Sequence, residues 1–326
     1  MGFNLLILAS DAPGQFDVHD SQDWPRKLKT LIPGITVNVA RSTGEAMELI
    51  QDADAVYGDV QPDLFARAGR LRWIACPQAG PSAGYYHRAL IDSDVVVTNV
   101  RGIYSDYISA HIMAFLLAFA TGLPAYYRSQ LAGKWRPGEP TVYLPDSTAV
   151  IVGVGGIGGD TARICAQLGI DVIGVDPRVA EAPPGVAELH RPESLDDVLP
   201  RGDFVIVTVP ESPKTQGMFG ARQFHLMKNG AYLINIGRGS TVDLEELNSA
   251  LRSKEIAGAG LDVFETEPLP ASHPLWTAPG MLITPHVAAA SGPNLDDRRT
   301  ELFLDNCLRF SEGRPLRNLV DKENWY

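Results

Sequence analysis

Three polar residues far apart in the chain each sit in a short segment of distinctive composition. Arg238 lies in INIGRGS (234–240), Glu267 in GLDVFETEPLP (260–270) and His286 in LITPHVA (282–288). A guanidinium matches a carboxylate with two parallel hydrogen bonds and can polarise a keto oxygen beside it. An imidazole can protonate a developing alkoxide, or take the hydroxyl proton in reverse. A carboxylate beside that imidazole would orient it and favour its charged form. Taken singly, each is more often a surface or structural residue. Together they describe a clamp and a proton donor suited to a 2-keto acid.

The electron pair for such a reduction needs a carrier, and VGVGGIGGD provides a place for one. Gly153, Gly155 and Gly158 form G-x-G-x-x-G after a strand-like run and at the start of a helical pattern. The first glycine can make the tight turn, the second lets backbone approach a pyrophosphate, and the third permits close helix–sheet packing. Free N–H groups around Gly156 and Ile157 would supply the anion site. Asp176 ends the next strand, 18 residues beyond Gly158. A carboxylate there can accept adenosine ribose hydroxyls and repel a 2′-phosphate, favouring NAD over NADP. Arg178 pulls the other way, since a guanidinium can help hold that phosphate.

The elements that must position these groups alternate in type. Up to about residue 100, strand-like runs at Asn4–Ala9, Ile35–Ala40, Ala55–Tyr57, Leu71–Cys76 and Val95–Asn99 are separated by amphipathic stretches. A second series begins at Ala149 with AVIVG, DVIGVD, DFVIVTV, AYLINI, GAGLDV and MLITP. Such alternation predicts an α/β fold of two doubly wound parallel-sheet domains, one flavodoxin-like and one a Rossmann nucleotide domain. The expected boundaries are 1–99 plus 291–326 for the substrate domain and 100–290 for the dinucleotide domain. Two crossings predict a hinged cleft. SDYISAHIMAFLLAF (105–119) reads as a buried helix, too short to span a bilayer, and about Asp296–Ser311 as the final helix.

A chain of 326 residues favours about two domains. Its net charge of −11 repels nucleic-acid and lipid phosphates, so neither nucleic acid nor a membrane is an expected partner. Cys76, Cys165 and Cys307 form no C-x-x-C pair and fit reduced, buried thiols in a cytoplasmic protein. No metal site is expected. MGFNLLILAS reads as a first strand, because its apolar run is short and lacks a basic flank.

GRGS, LDVFETEPLP and TPHVA together resemble the D-isomer-specific 2-hydroxyacid dehydrogenase family, which includes glyoxylate/hydroxypyruvate reductases, D-lactate and phosphoglycerate dehydrogenases. The resemblance runs from VVVTN (95–99) to the final helix. It implies that Arg238, Glu267 and His286 are the catalytic trio, that Asp262 lies near the nicotinamide, and that Thr208, Val209, Pro210, Ile236 and Gly237 line the cofactor. It implies that backbone amides around Ala79 and Gly80 hold the substrate carboxylate, and that the chain forms a homodimer through the nucleotide domain. Two departures stand out. Gly156 replaces an arginine common in relatives, and Ala110 precedes His111 where many carry Glu; the second is expected away from the chemistry. His111 reads as a packed or interface histidine, and Tyr85, Tyr86, Tyr104 and Trp135 more as packing groups than substrate contacts. Formate- or phosphite-type dehydrogenases on the same scaffold, and an NAD(H)-sensing corepressor-like protein, are the alternatives.

Overall fold

Short runs dominated by Val, Ile and Leu, without a polar face, favour parallel strands covered on both sides by helices. The computed structural model describes residues 2–8, 23–81, 83–290 and 292–325. It divides into two units, Met1–Ile103 with Ser291–Tyr326, and Tyr104–Ala290.

The first unit holds strands β1 (Asn4–Leu8), β2 (Thr36–Ala40), β3 (Ala55–Tyr57), β4 (Trp73–Ala75) and β5 (Val96–Thr98). All pair in parallel, in the order β2-β1-β3-β4-β5. This is the flavodoxin-like order that the alternation predicted. Ala9, expected to end the first strand, lies outside the described residues. Along β1, Leu5 and Ile7 enter a core with Trp24, Tyr57, Trp73 and Phe303, while Leu6 enters the opposite one with Val56, Ile74 and Val97. Phe303 comes from the final helix, Leu295–Glu312, and lies 4.5 Å from the Trp24 ring.

The chain's last segment then joins the β5 edge. Thr98 and Leu319 form an antiparallel bridge, and Val320 N donates to Val97 O at 2.9 Å. Arg298 Nη1 donates to Ile103 O at 2.9 Å and Arg101 Nη2 to Leu319 O at 3.0 Å. These bonds tie residues 100–103 to the first unit, so the first crossing falls past Asn99. Lys322 Nζ donates to the carbonyls of Leu90, Ser93 and Val95, and partial burial holds its pKa below the usual lysine range.

The second unit holds β6 (Thr148–Val152), β7 (Asp171–Val175), β8 (Glu188–His190), β9 (Phe204–Val207), β10 (Tyr232–Asn235), β11 (Gly258–Leu261) and β12 (Met281–Ile283). Its seven parallel strands run β12-β11-β10-β9-β6-β7-β8. The order reverses between β6 and β9, where the carboxyl ends of an open sheet leave a crevice for a ligand. β8 has no apolar run to betray it; ELH is a partly exposed edge strand. The helix Ser105–Ala120 buries Ile112, Phe115, Leu116 and Phe119 against this sheet. A Cβ at Gly260 would lie 2.8 Å from the Phe115 ring, so the glycine lets the helix approach. The next helix, Leu123–Leu131, has no buried residue. Among the described residues no single helix is long and apolar enough to cross a membrane.

The Lys322 clamp generates a test. Lys322→Ala should cost about 2 kcal/mol, the worth of hydrogen bonds to a charged donor. The loss should appear as an earlier urea transition of the first unit's tryptophan signal; an unchanged midpoint would show the clamp to be passive.

Candidate active site

The glycine loop between β6 and the helix Gly156–Gln167 is shaped by contacts that admit no side chain. Gly153 has φ +93, and a Cβ at Gly158 would stand 1.9 Å from the Gly153 carbonyl oxygen. Above Gly155, by contrast, nothing lies within 4 Å. No side chain caps the helix that begins there, so its first-turn N–H groups, from Gly156 and Ile157 onward, remain available to an anion. Open space over unsatisfied donors is what a pyrophosphate requires, and the residues present fit a dinucleotide.

Ser105 Oγ lies 2.9 Å from where a Cβ at Gly156 would be, so the missing arginine has a steric counterpart in this chain. The Ser109 hydroxyl donates to Asp160 Oδ2 at 2.7 Å, holding that carboxyl below its ordinary range and joining the two helices. Thr208, at the end of β9, donates its hydroxyl to Gly153 O at 2.5 Å, and Val209 is buried beside the same turn. The Pro210 carbonyl accepts the Thr215 hydroxyl at 2.8 Å.

Asp176 follows β7, but its carboxylate faces the protein. Oδ2 accepts Val154 N at 3.0 Å, and Oδ1 accepts Arg178 N and Val179 N at 2.8 and 3.0 Å. The residue is only 4% exposed. Its oxygens already brace the glycine loop and the turn that follows β7. Arg178 and Arg191 are exposed nearby in the chain, and Arg191 Nη1 donates to Pro177 O at 2.6 Å.

Arg238, Glu267 and His286 follow the carboxyl ends of the neighbouring strands β10, β11 and β12. Buried Asn235 shapes the arginine turn, accepting Gly237 N at 2.9 Å and donating to Arg238 O at 3.0 Å. The Arg238 guanidinium donates through Nη1 to Gly237 O at 2.7 Å. Ile236 is buried, and a Cβ at Gly237 would lie 2.6 Å from Val209 O. At Gly239 a Cβ would fall 1.8 Å from the Phe264 carbonyl carbon. The arginine turn therefore rests directly on the backbone of the segment that carries Glu267.

Glu267 and His286 meet. Nδ1 of His286 lies 2.8 Å from Glu267 Oε2, while Oε1 accepts Phe264 N at 2.9 Å. The imidazole is 53% exposed and the carboxylate 36%. His286 has φ +54, a left-handed backbone costing a non-glycine residue about 1–2 kcal/mol. Asp262 compensates that cost. Its carbonyl accepts His286 N at 2.8 Å, its Oδ1 accepts Val287 N at 2.9 Å, and its Oδ2 accepts Ala288 N at 3.0 Å. The Thr284 hydroxyl donates to Oδ1 at 2.6 Å, and His111 Nε2 lies 3.0 Å from that hydroxyl.

Asp262 is thus 1% exposed and fully engaged in holding the His286 turn. His111, read from the sequence as a packed or interface histidine, packs edge-on against Phe115 and reaches this anchor through the Thr284 hydroxyl. Asn235 and Thr284 lie inside the INIGRGS and LITPHVA segments and His111 outside both, but in none of the three does residue type name the partner.

In the first unit, Ala79 and Gly80 follow β4 in a turn fixed by Asn99, whose Nδ2 donates to Ala79 O at 2.9 Å. Tyr85 and Tyr86 are core residues there, as expected for packing groups. Burial pushes the Cys76 and Cys165 thiols up to about 12, and all three cysteines are buried. Trp135, in the second unit, is 99% exposed and packs on nothing within the described chain.

A family model described as D-isomer specific 2-hydroxyacid dehydrogenase, NAD binding domain, matches residues 113–288. The glyoxylate reductase of Korarchaeum cryptofilum is 31% identical, over 85% of this chain and 85% of its own. A D-isomer specific 2-hydroxyacid dehydrogenase from Xanthobacter autotrophicus Py2, solved with NADPH and MES, superposes with a TM-score of 0.84 at 29% identity, covering 100% of both chains. An NADPH-dependent glyoxylate/hydroxypyruvate reductase from Sinorhizobium meliloti, solved with NADP and sulfate, gives a TM-score of 0.80 at 28% identity, covering 99% of this chain and 100% of that one.

The Asp262 anchor can be probed without any substrate. Asp262→Asn sets an amide N–H against a backbone N–H and should cost about 2 kcal/mol. Amide exchange at Val287 and Ala288 should quicken more than about tenfold. Unchanged protection at both amides would show that something else holds the turn.

Proposed function

The chain belongs to the D-isomer-specific 2-hydroxyacid dehydrogenase family, and from that premise we propose that it reversibly reduces a small 2-keto acid to the D-2-hydroxy acid with NAD(H). The observation that carries the reading is the 2.8 Å His286–Glu267 pair at the ligand edge of the dinucleotide sheet. A bound reduced nicotinamide supplies the hydride, and the remaining steps fall to the chain's own residues.

Arg238 binds the substrate carboxylate and polarises the keto oxygen through its planar array of donors. The backbone amides of Ala79 and Gly80 are the proposed second hold on that carboxylate. With Nδ1–H given to Glu267, His286 presents Nε2 to the substrate oxygen and delivers its proton there as the alkoxide develops. Glu267 keeps the ring in one orientation and balances its charge, because its own carboxylate is fixed to Phe264 N. Hydroxy-acid oxidation reverses the transfer, with His286 receiving the proton.

NAD(H) is favoured by the negative charge of Asp176, which repels a 2′-phosphate. The exposed guanidinium of Arg178 and the prior commitment of the Asp176 oxygens favour a second reading, acceptance of NADP(H). A homodimer is proposed through the apolar surface of the second unit. Leu123 (58% exposed), Tyr127 (57%), Leu131 (71%) and Trp135 (99%) occupy one continuous stretch of chain that a second copy would cover.

Turnover of glyoxylate, hydroxypyruvate and pyruvate, each with NADH and with NADPH, tests the reading. Activity is expected with at least one acid, and His286→Ala should lower kcat by about 1,000-fold, with NADH binding retained. Retained turnover in that variant would remove His286 from the chemistry, and NADH binding without turnover of any acid would point to a sensor. For the assembly, sedimentation should show a dimer, and Leu131→Asp with Trp135→Asp should release monomers; a wild-type monomer would refute it.

A further inference from the structure

The helix Ser105–Ala120 carries a histidine that the proton transfer does not use. His111 Nε2 lies 3.0 Å from Thr284 Oγ1, which donates to Asp262 Oδ1 at 2.6 Å; Nε2 is itself 3.8 Å from that oxygen, beyond hydrogen-bond reach. A threonine hydroxyl has a single hydrogen. With that hydrogen committed to a carboxylate, the oxygen can only accept from the imidazole, so the proton of His111 must reside on Nε2. The ring is held edge-on against Phe115, with centroids 5.0 Å apart at 88°. Its direction is therefore fixed by packing in the helix, independently of the loop it contacts.

We infer that His111 is a positioning residue for His286, acting through Thr284 and Asp262. The inference rests on the proposed role of His286. The imidazole N–H fixes the Thr284 hydroxyl, and the hydroxyl fixes one oxygen of Asp262. The same carboxylate accepts Val287 N and Ala288 N. Those bonds keep the turn in which His286 takes its left-handed backbone. Three links thus run from a helix packed on the sheet to an exposed ring. Without the His111 donor, the Thr284 hydroxyl is free to turn toward another acceptor, and the carboxylate loses the bond that selects its rotamer. His286 is then displaced rather than removed, and a displacement on the order of 1 Å suffices to slow a proton transfer substantially.

The link is tested by His111→Leu, His111→Gln, Thr284→Val and the His111→Leu/Thr284→Val pair. Each is measured for turnover of the acid that the wild type reduces best, for NADH affinity by fluorescence, and for thermal midpoint. His111→Leu should lower kcat by about tenfold, with NADH affinity and midpoint little changed. His111→Gln, whose amide N–H can reach Thr284 Oγ1, should recover most of that loss. Thr284→Val should match His111→Leu, and the pair should lose no more than either alone. Full kcat in His111→Leu, no rescue by glutamine, or losses that multiply in the pair would overturn the inference. If His111→Leu fails to fold, Thr284→Val and His111→Gln decide it: a normal kcat in Thr284→Val overturns it. An inactive wild type would defeat the reading beneath as well, whereas an active wild type with indifferent variants defeats the inference alone.

Discussion

One buried carboxylate sets the geometry at the ligand edge of the second unit. Asp262 follows β11, receives three consecutive N–H groups from residues 286–288 through its carbonyl and two side-chain oxygens, and takes the Thr284 hydroxyl as well. A charge buried at 1% exposure is unfavourable unless its oxygens are met by donors, and here the donors come from the strand and turn beside it. These bonds to Asp262 hold the turn after β12. His286 N also reaches Thr284 O at 3.1 Å, so the local turn and the buried carboxylate together hold its left-handed backbone.

Close approach supplies the second constraint. Gly158 lies against Gly153, Gly260 against Phe115, and Gly239 against the Phe264 backbone, each at a distance where a Cβ would clash. In the first case the helix is seated on the nucleotide loop. In the second, the helix Ser105–Ala120 is seated on β11, the strand that leads to Asp262. In the third, the turn carrying Arg238 is seated on the loop carrying Glu267. Glycine at these positions converts sequence-distant segments into neighbours, which is why three motifs separated along the chain converge on one sheet edge.

The fold was largely legible because parallel strands buried on both faces leave continuous apolar runs, such as VIV at 150–152 and FVIV at 204–207. β8 escaped notice because an edge strand need bury little, and ELH has no such run. The pairing of His286 with Glu267 was legible from residue type, since a carboxylate and an imidazole in signature segments suggest a partnership. Its supports were not. Asn235, Thr284 and His111 act through hydrogen bonds whose partners lie across strands or on a distant helix, and a residue's type does not name its partner. Asp176 shows the same gap from the other side: its position suggested a ribose contact, yet its oxygens turn inward to backbone amides that sequence position alone does not reveal.

The arrangement also explains why the His286–Glu267 pair needs so much behind it. An imidazole that is 53% exposed and a carboxylate 36% exposed form an ion pair or hydrogen bond worth roughly 0–1 kcal/mol in water, too little to hold either side chain in one place. Exposure is nevertheless required by the proton transfer proposed for His286, because the ring must be reachable. The conflict is resolved by dividing the work. Glu267 is fixed through its second oxygen to Phe264 N, and His286 is fixed through its backbone to Asp262, so each partner is placed before the two meet. Their 2.8 Å contact then reports the positions of two rigid anchors and contributes little to setting them. Precision at the surface is inherited from satisfied polar groups in the interior, and the motif that names the chemistry is the visible end of a buried network.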